Sequence, residues 1–174
     1  MALKSPFVLD PATPSPPELA QLIDAHGAAL ELYATQWTTA PEDCVQEAFV
    51  ELIRQKQRPE NPTAWLYRVV RNKALNAARA KRRRTSHEEV AGRLRADDQS
   101  ANHLDKLDVA QAVTQLEDLP REIVTLRLWS GLSWREIADL TETPASTVQR
   151  RYAEALSTLQ NFFEVRSVTP RSAW

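Results

Sequence analysis

Residues 131–151 constrain the fold more than any other stretch, because they specify two short helices and the turn that joins them. Ser133 suits a helix N-cap, and Glu136 three residues later completes a capping box, each side chain bonding the other's orphan backbone N–H. Trp134, Ile137 and Ala138 share one face of the helix that starts there. After Thr143, Pro144 restarts the chain at a first helical position, where the missing N–H has no partner to lose. Val148, Tyr152, Ala155, Leu156 and Leu159 form the apolar stripe of the second helix. Ser146, Thr147, Gln149, Arg150 and Arg151 are left facing outward. Hydroxyl, amide and guanidinium groups on such a surface can bond base edges and phosphates in a major groove. An ordinary helical hairpin with a solvated basic face has the same pattern, so the rest of the chain decides between them.

The composition favours helices. Only 3 of 174 residues are Gly and 7% are aromatic, while Ala, Leu, Arg and Glu are abundant. The length suits one ordinary domain or two small ones. Net charge is -1, so nucleic-acid binding has to come from local patches rather than from a polycation. Cys44 is the single cysteine, which excludes an internal disulfide and a zinc cluster and fits a reducing cytoplasm. No apolar run is long enough to span a bilayer, so no membrane insertion is expected. Pro6, Pro11, Pro14, Pro16 and Pro17 read as an irregular leader, without the basic-then-apolar layout of a signal peptide.

Helical spacing then divides the chain. Ser15 to Pro17 start a helix carrying Leu19, Leu22, Ile23, Leu30, Tyr33 and Trp37, with Gly27 weakening its middle. Thr39 to Pro41 start a second, striped by Val45, Ala48, Phe49, Leu52 and Ile53. Asn61 caps a third with Pro62 at its first position, and Trp65, Leu66, Val69, Val70, Ala74 and Ala77 form its buried side. From Thr85 to Asn102 the apolar pattern fades into a polar linker, partly helical. Leu107, Ala110, Val113 and Leu116 mark the next helix. Pro120 starts another, with Ile123, Val124, Leu126, Leu128 and Trp129, closed by a left-handed Gly131. The expected architecture is all-α, two small helical domains joined by a polar linker. The divisions are a leader at 1–14, domains at 15–84 and 104–163, a linker at 85–103 and a frayed tail at 164–174. Domains this small have thin cores and gain stability from partner contacts.

Two further surfaces stand out. Asp43, Gln46, Glu47, Val50 and Arg54 fall opposite the core stripe of the second helix, an acidic, amide-bearing face that could dock a basic protein surface. Taken alone, the same face is more simply a solvated one. From Arg68 through Arg71, Lys73, Arg79, Lys81, Arg82 and Arg83 to Arg84 the chain carries eight bases with no intervening acid. Asn72 and Asn76 lie among them, and Trp65 and Tyr67 precede them. Bases neutralise phosphates, aromatics stack on unpaired bases and amides read base edges, which favours nucleic acid over a merely charged helix end. Arg68, Asn72, Asn76, Arg79 and Arg83 lie near one line of the wheel, which Leu75 interrupts.

Catalytic chemistry has no foothold in the pattern. His26, His87 and His103 are scattered, without a metal-ligand spacing. There is no phosphate-binding glycine loop and no G-x-S-x-G elbow. Asp43 and Glu47 sit on an exposed helix without His or a pocket. No enzyme activity, cofactor or metal site is expected.

In their order, these three pieces resemble a bacterial sigma factor of the extracytoplasmic-function (ECF) subfamily, over residues 19–162. Asp43-Cys44-Val45-Gln46-Glu47-Ala48-Phe49 looks like the family's D-x-V-Q-E-x-F segment. Trp65-Leu66-Tyr67-Arg68-Val69-Val70-Arg71-Asn72-Lys73-Ala74-Leu75 looks like W-L-Y-R-I-A-x-N-x-A-x. Leu119-Pro120, with Gly131-Leu132-Ser133-Trp134-Arg135-Glu136-Ile137-Ala138, is similar to L-P … G-L-S-x-x-E-I-A. The resemblance implies sigma-2 and sigma-4 domains and a transcription initiation factor that binds core RNA polymerase through its β′ clamp helices and β flap. Asp43, Gln46, Glu47, Val50 and Arg54 would then meet the clamp helices. Arg58, Asn61, Trp65, Arg68, Arg71, Asn72, Asn76 and Arg79 would capture and read the melted minus-10 element. Arg135, Ser146, Thr147, Gln149, Arg150 and Arg151 would read the minus-35 duplex. Promoter DNA is the implied second partner, and an anti-sigma factor a further one.

Two positions depart from the family pattern. Glu142 stands where such a turn usually has glycine, which predicts a wider or strained turn. Glu154 stands where the family often has a base, which argues against a phosphate contact there. The alternative is a stand-alone helix-turn-helix regulator that does not bind polymerase. It would need its own operator and a dimer interface, and it leaves the acidic face and the basic run without a role. A helical protein-interaction module is a third reading, without promoter dependence.

Overall fold

A serine and a glutamate three residues apart start two of the six helices that the computed structural model shows among its described residues: 14–88, 112–113 and 115–168, with side chains described over 14–84, 112–113 and 115–164. The chain is all-α over that range and divides into two units, Met1–Thr85 and Ser86–Trp174.

In the first unit, α1 (Pro16–Ala34), α2 (Pro41–Ile53) and α3 (Pro62–Glu88) surround one core. Ser15 caps α1, and the Glu18 carboxylate accepts from the Ser15 backbone N–H at 2.9 Å. Pro41 occupies the first turn of α2, as expected. Asn61 caps α3 by accepting from the Ala64 N–H at 3.0 Å. Leu30, Tyr33, Leu52, Leu66, Tyr67 and Val70 are the largest fully buried side chains, each worth about 1.5–3 kcal/mol for the aliphatic members. Tyr33 meets both Trp37 and Tyr67 edge-on, with ring centroids at 5.0 and 5.2 Å.

Several expectations are corrected here. α1 ends at Ala34, so Trp37 lies in the following turn, folded back against Tyr33. Ile23 and Ile53, placed on core stripes, are exposed. Tyr67, read as a base-stacking aromatic, belongs to the core. α3 runs on to Glu88, four residues into the stretch read as linker.

In the second unit, α4 (Asp118–Trp129), α5 (Trp134–Thr141) and α6 (Ala145–Val168) pack together. Pro120 does not start α4; Glu117 holds its N-cap position without a side-chain cap bond, and Pro120 is the third residue of a first turn that requires no N–H from it. Ile123, Val124 and Leu126 are buried as expected, whereas Leu128 and Trp129 are exposed. Gly131 has φ +71°, the left-handed residue expected after that helix. The Ser130 hydroxyl donates to the Leu126 carbonyl at 2.6 Å and accepts the Leu132 N–H at 3.0 Å, which satisfies the turn internally. Arg121 donates to the Val113 and Leu116 carbonyls and fastens the preceding segment to α4. Pro144 precedes α6 as its cap residue, one position earlier than expected, and its carbonyl accepts from Thr147 and Val148. α6 continues to Val168, beyond the frayed end expected after Phe163. Leu107, Ala110, His87, His103 and most of the predicted linker lie outside the residues whose side chains are described. No described helix is long and apolar enough to cross a membrane.

Candidate nucleic-acid and protein interfaces

The acidic surface is built by α2. Cys44, Val45, Ala48, Phe49 and Leu52 turn inward, which leaves Asp43, Gln46, Glu47 and Val50 exposed together. Arg54, exposed, follows as the C-cap residue, its backbone N–H bonded to the last carbonyls of α2. The face is tied to the basic helix. Lys73 Nζ lies 2.8 Å from Glu47 Oε2 and 2.6 Å from Glu51 Oε1. The hydrogen bonds to Glu47 and Glu51 push the Lys73 ammonium above its ordinary pKa. One base of the α3 run is thus spent inside the unit, and Glu47 presents to solvent as half of an ion pair. Beneath the face, burial raises the Cys44 thiol, followed by the nearby Glu47 carboxylate, so it carries no thiolate chemistry.

The basic surface is the outer side of α3. Leu66, Tyr67, Val70 and Ala74 are buried, and Arg68, Asn72, Asn76, Arg79 and Arg83 are all exposed, as their shared line on the wheel predicts. Leu75, which interrupts that line, is half-buried, as are Trp65 and Arg71. Arg79 Nη1 donates to Asn76 Oδ1 at 3.4 Å. At the head of α3, Asn61 is exposed but its side-chain oxygen is occupied by the cap. Arg58 pairs with Glu18 at 3.2 Å. Bonds from the Ser15 backbone and hydroxyl, and then from Arg58, hold the Glu18 carboxyl below its usual range. His26 is half-buried, its Nε2 at 3.1 Å from the Thr63 hydroxyl, and burial lowers its pKa, which suits a neutral packing residue.

The third surface is the helix-turn-helix. α5 is set by the Ser133 hydroxyl bonded to Glu136 Oε2 at 2.6 Å and by the Glu136 backbone N–H bonded back to Ser133. Trp134 stacks edge-on with Tyr152 of α6 at 5.1 Å, and the Arg127 guanidinium covers the Trp134 ring at 4.7 Å. Between the helices, Glu142 adopts φ 53° and ψ 36°, and the Thr143 N–H reaches the Ala138 carbonyl at 3.0 Å. The turn is therefore the tight left-handed one, with the strain expected of a glutamate there and without the widening. α6 then seats on the fully buried Val148. Ser146, Gln149 and Arg150 are exposed beside it, Thr147 and Arg151 are half-buried, and Arg135 is exposed on α5.

The sequence presents Glu154 only as a group that argues against a phosphate contact. In the structure it takes Arg150 Nη1 at 2.9 Å on Oε1 and Arg151 Nη1 at 3.2 Å on Oε2. The three- and four-residue spacing carries that signal in the sequence. The Lys73 bridge crosses two helices and has no such local signal.

Comparison with known proteins places the chain in a family. The chain matches Sigma-70 region 2 over residues 22–84 and Sigma-70, region 4 over residues 106–159. It is 31% identical over 136 residues to the ECF RNA polymerase sigma-E factor of Escherichia coli (strain K12), which covers 68% of this chain and 71% of the relative. The sigma-E factor of Haemophilus influenzae is 27% identical over 136 residues, covering 68% and 72%. Among solved structures, the sigma factor RpoE of Bartonella quintana, in complex with the anti-sigma factor NepR, superposes with a TM-score of 0.67 at 23% identity, covering 84% of this chain and 96% of that one. CnrH in complex with the cytosolic domain of CnrY gives 0.58 at 24%, covering 87% and 90%. These last two likenesses concern the fold.

Proposed function

Because the chain belongs to the ECF RNA polymerase sigma factors of the sigma-70 family, and is accordingly a transcription initiation factor that binds core RNA polymerase and directs promoter recognition, we propose a division of that work among its three surfaces. Residues 15–84 form the unit for polymerase and the minus-10 element, and residues 104–163 the unit for the minus-35 element. Asp43, Gln46, Glu47, Val50 and Arg54 dock the polymerase. Arg58, Asn61, Trp65, Arg68, Arg71, Asn72, Asn76 and Arg79 hold unpaired bases and their phosphates. Capture of extruded bases favours the melted duplex and shifts the closed-to-open equilibrium. Arg135, Ser146, Thr147, Gln149, Arg150 and Arg151 read the upstream duplex. The chain acts by binding rather than by catalysis, in the cytoplasm where polymerase works. An anti-sigma factor is a further partner, by analogy with the complex of the Bartonella quintana protein.

The observation that carries this reading is the exposure of Asp43, Gln46, Glu47 and Val50 together on α2, in the same chain as a helix-turn-helix with Gln149 and Arg150 exposed. A regulator that bound DNA alone would have no use for the first. The test is to mix the full chain with bacterial core RNA polymerase, separate by size exclusion, and transcribe a genomic DNA library. Co-elution and transcripts sharing an upstream motif are expected. Asp43→Lys with Glu47→Lys should abolish co-elution while helicity is kept; retained co-elution would remove the docking role of this face.

A further inference from the structure

Arg150 and Arg151 share a single carboxylate. Glu154 lies three and four residues C-terminal to them, and a helical side chain leans over the turn that precedes its own Cα. Each carboxylate oxygen accepts from a different guanidinium, through Nη1 in both cases. A guanidinium carries five N–H donors, so each arginine keeps most of its donors for another partner. Both stay accessible, with side chains 60% and 39% exposed, and Glu154 itself is 46% exposed.

We infer that Glu154 is a positioning residue that sets the specificity of the recognition helix. The inference rests on the reading of α6 as the helix that enters the major groove. Phosphate contacts are blind to sequence and scale with the charge the protein presents. A carboxylate about 3 Å from both guanidinium groups cancels one of their two charges and repels phosphate at every register along DNA. A base edge, such as the O6 and N7 acceptors of guanine, carries only partial charge and is repelled far less. Arginines already held in one conformation also lose less rotamer freedom on meeting it. Glu154 thus trades general affinity for discrimination.

The experiment uses the full chain assembled with core polymerase. Two duplexes are compared across a salt series: one carrying the upstream motif recovered from its transcripts, the other with that motif shuffled. Glu154→Gln keeps the shape and removes the charge. Binding to the shuffled duplex should rise, and the log–log salt slope should steepen by about one. The ratio of the two affinities should fall by about fivefold. Glu154→Arg should move all three further in the same direction. A variant that merely misfolds would lose both duplexes, the opposite of the expected rise. An unchanged or larger ratio in Glu154→Gln overturns the inference. Gln149→Ala is measured alongside. If it leaves promoter binding intact, the recognition-helix reading fails and takes the inference with it. If it weakens promoter binding while the Glu154→Gln ratio stays unchanged, the Glu154 role alone falls.

Discussion

Lys73 of α3 and Glu47 of α2 meet at 2.8 Å, so the basic helix and the acidic face are braced against each other. Glu51 takes a second hydrogen bond from the same ammonium at 2.6 Å. Lys73→Met should therefore cost the first unit about 1 kcal/mol, read by thermal or urea melting of the full chain. The pH sign follows from the raised Lys73 pKa. The bridge's contribution is fully present below the ordinary lysine value of 10.5 and is lost as pH rises through the higher folded value. A Lys73→Met chain should be less sensitive to alkali than the parent; equal sensitivity would show that the bridge adds nothing.

The turn between α5 and α6 holds a glutamate in the left-handed region, at φ 53°. Glycine adopts that conformation without the clash between Cβ and carbonyl. Glu142→Gly should stabilise the second unit by about 1 kcal/mol, a rise of roughly 4–8 °C in its melting temperature. Gly131 gives the converse. It has φ +71° and no heavy atom within 4 Å of an added Cβ, so Gly131→Ala should lose about 1 kcal/mol through backbone strain alone. Equal melting temperatures for the two variants would refute the strain argument.

Three helix starts were legible in the sequence because caps and prolines act locally, whereas Pro120 and Pro144 each stand away from the first helical position expected of them. Ser133 with Glu136 and Asn61 before Pro62 form the bonds their spacing predicts, and α1 starts at the Ser15 to Pro17 signal, where Glu18 adds a capping box. The outer line of α3 was legible for the same reason, since period alone places Arg68, Asn72 and Asn76. What escaped depends on partners distant in sequence. Tyr67 looks like an interface aromatic until Tyr33 of α1 packs against it. Leu128 and Trp129 continue the apolar run of α4, yet the packing of α5 and α6 leaves them exposed. Lys73 counts as one more base until α2 supplies two carboxylates.

Gly27 interrupts the sequence pattern of α1 without interrupting the helix. An added Cβ there would meet Ile23 Cγ2 at 3.8 Å, an ordinary contact. Gly27→Ala should thus stabilise the first unit by about 0.5–1 kcal/mol, mainly by reducing the freedom of the unfolded chain. A loss of stability on melting would contradict this.

Tyr67 is buried and its hydroxyl has no hydrogen-bond partner. Burial pushes the phenol well above its ordinary pKa, so it stays neutral at any working pH. Removing the hydroxyl alone leaves the packing against Tyr33 intact. Tyr67→Phe should be neutral or stabilising by up to about 1 kcal/mol, whereas Tyr67→Ala should cost about 3–5 kcal/mol. Promoter opening by the polymerase complex should be unchanged in Tyr67→Phe. Impaired opening with intact stability would return Tyr67 to the DNA surface.

Glu18 closes the capping box of α1 and also receives Arg58, a residue assigned to DNA. Its lowered pKa arises first from the Ser15 backbone N–H, next from the Ser15 hydroxyl, and then from Arg58. A depressed carboxylate stabilises above the ordinary glutamate value, and that stabilisation is lost as pH falls through the lower folded value. The Ser15 amide resonance, followed by NMR from pH 6 downward, should therefore titrate below the ordinary glutamate value. Arg58→Ala should raise that midpoint only slightly, because Ser15 supplies the larger effects. Ser15→Ala should raise it further, since the hydroxyl bond goes and the first turn loosens around the remaining one. If instead Arg58→Ala moved the midpoint more than Ser15→Ala, the ion pair would outweigh the cap. Arg58 would then have to give up a substantial partner before it could reach DNA.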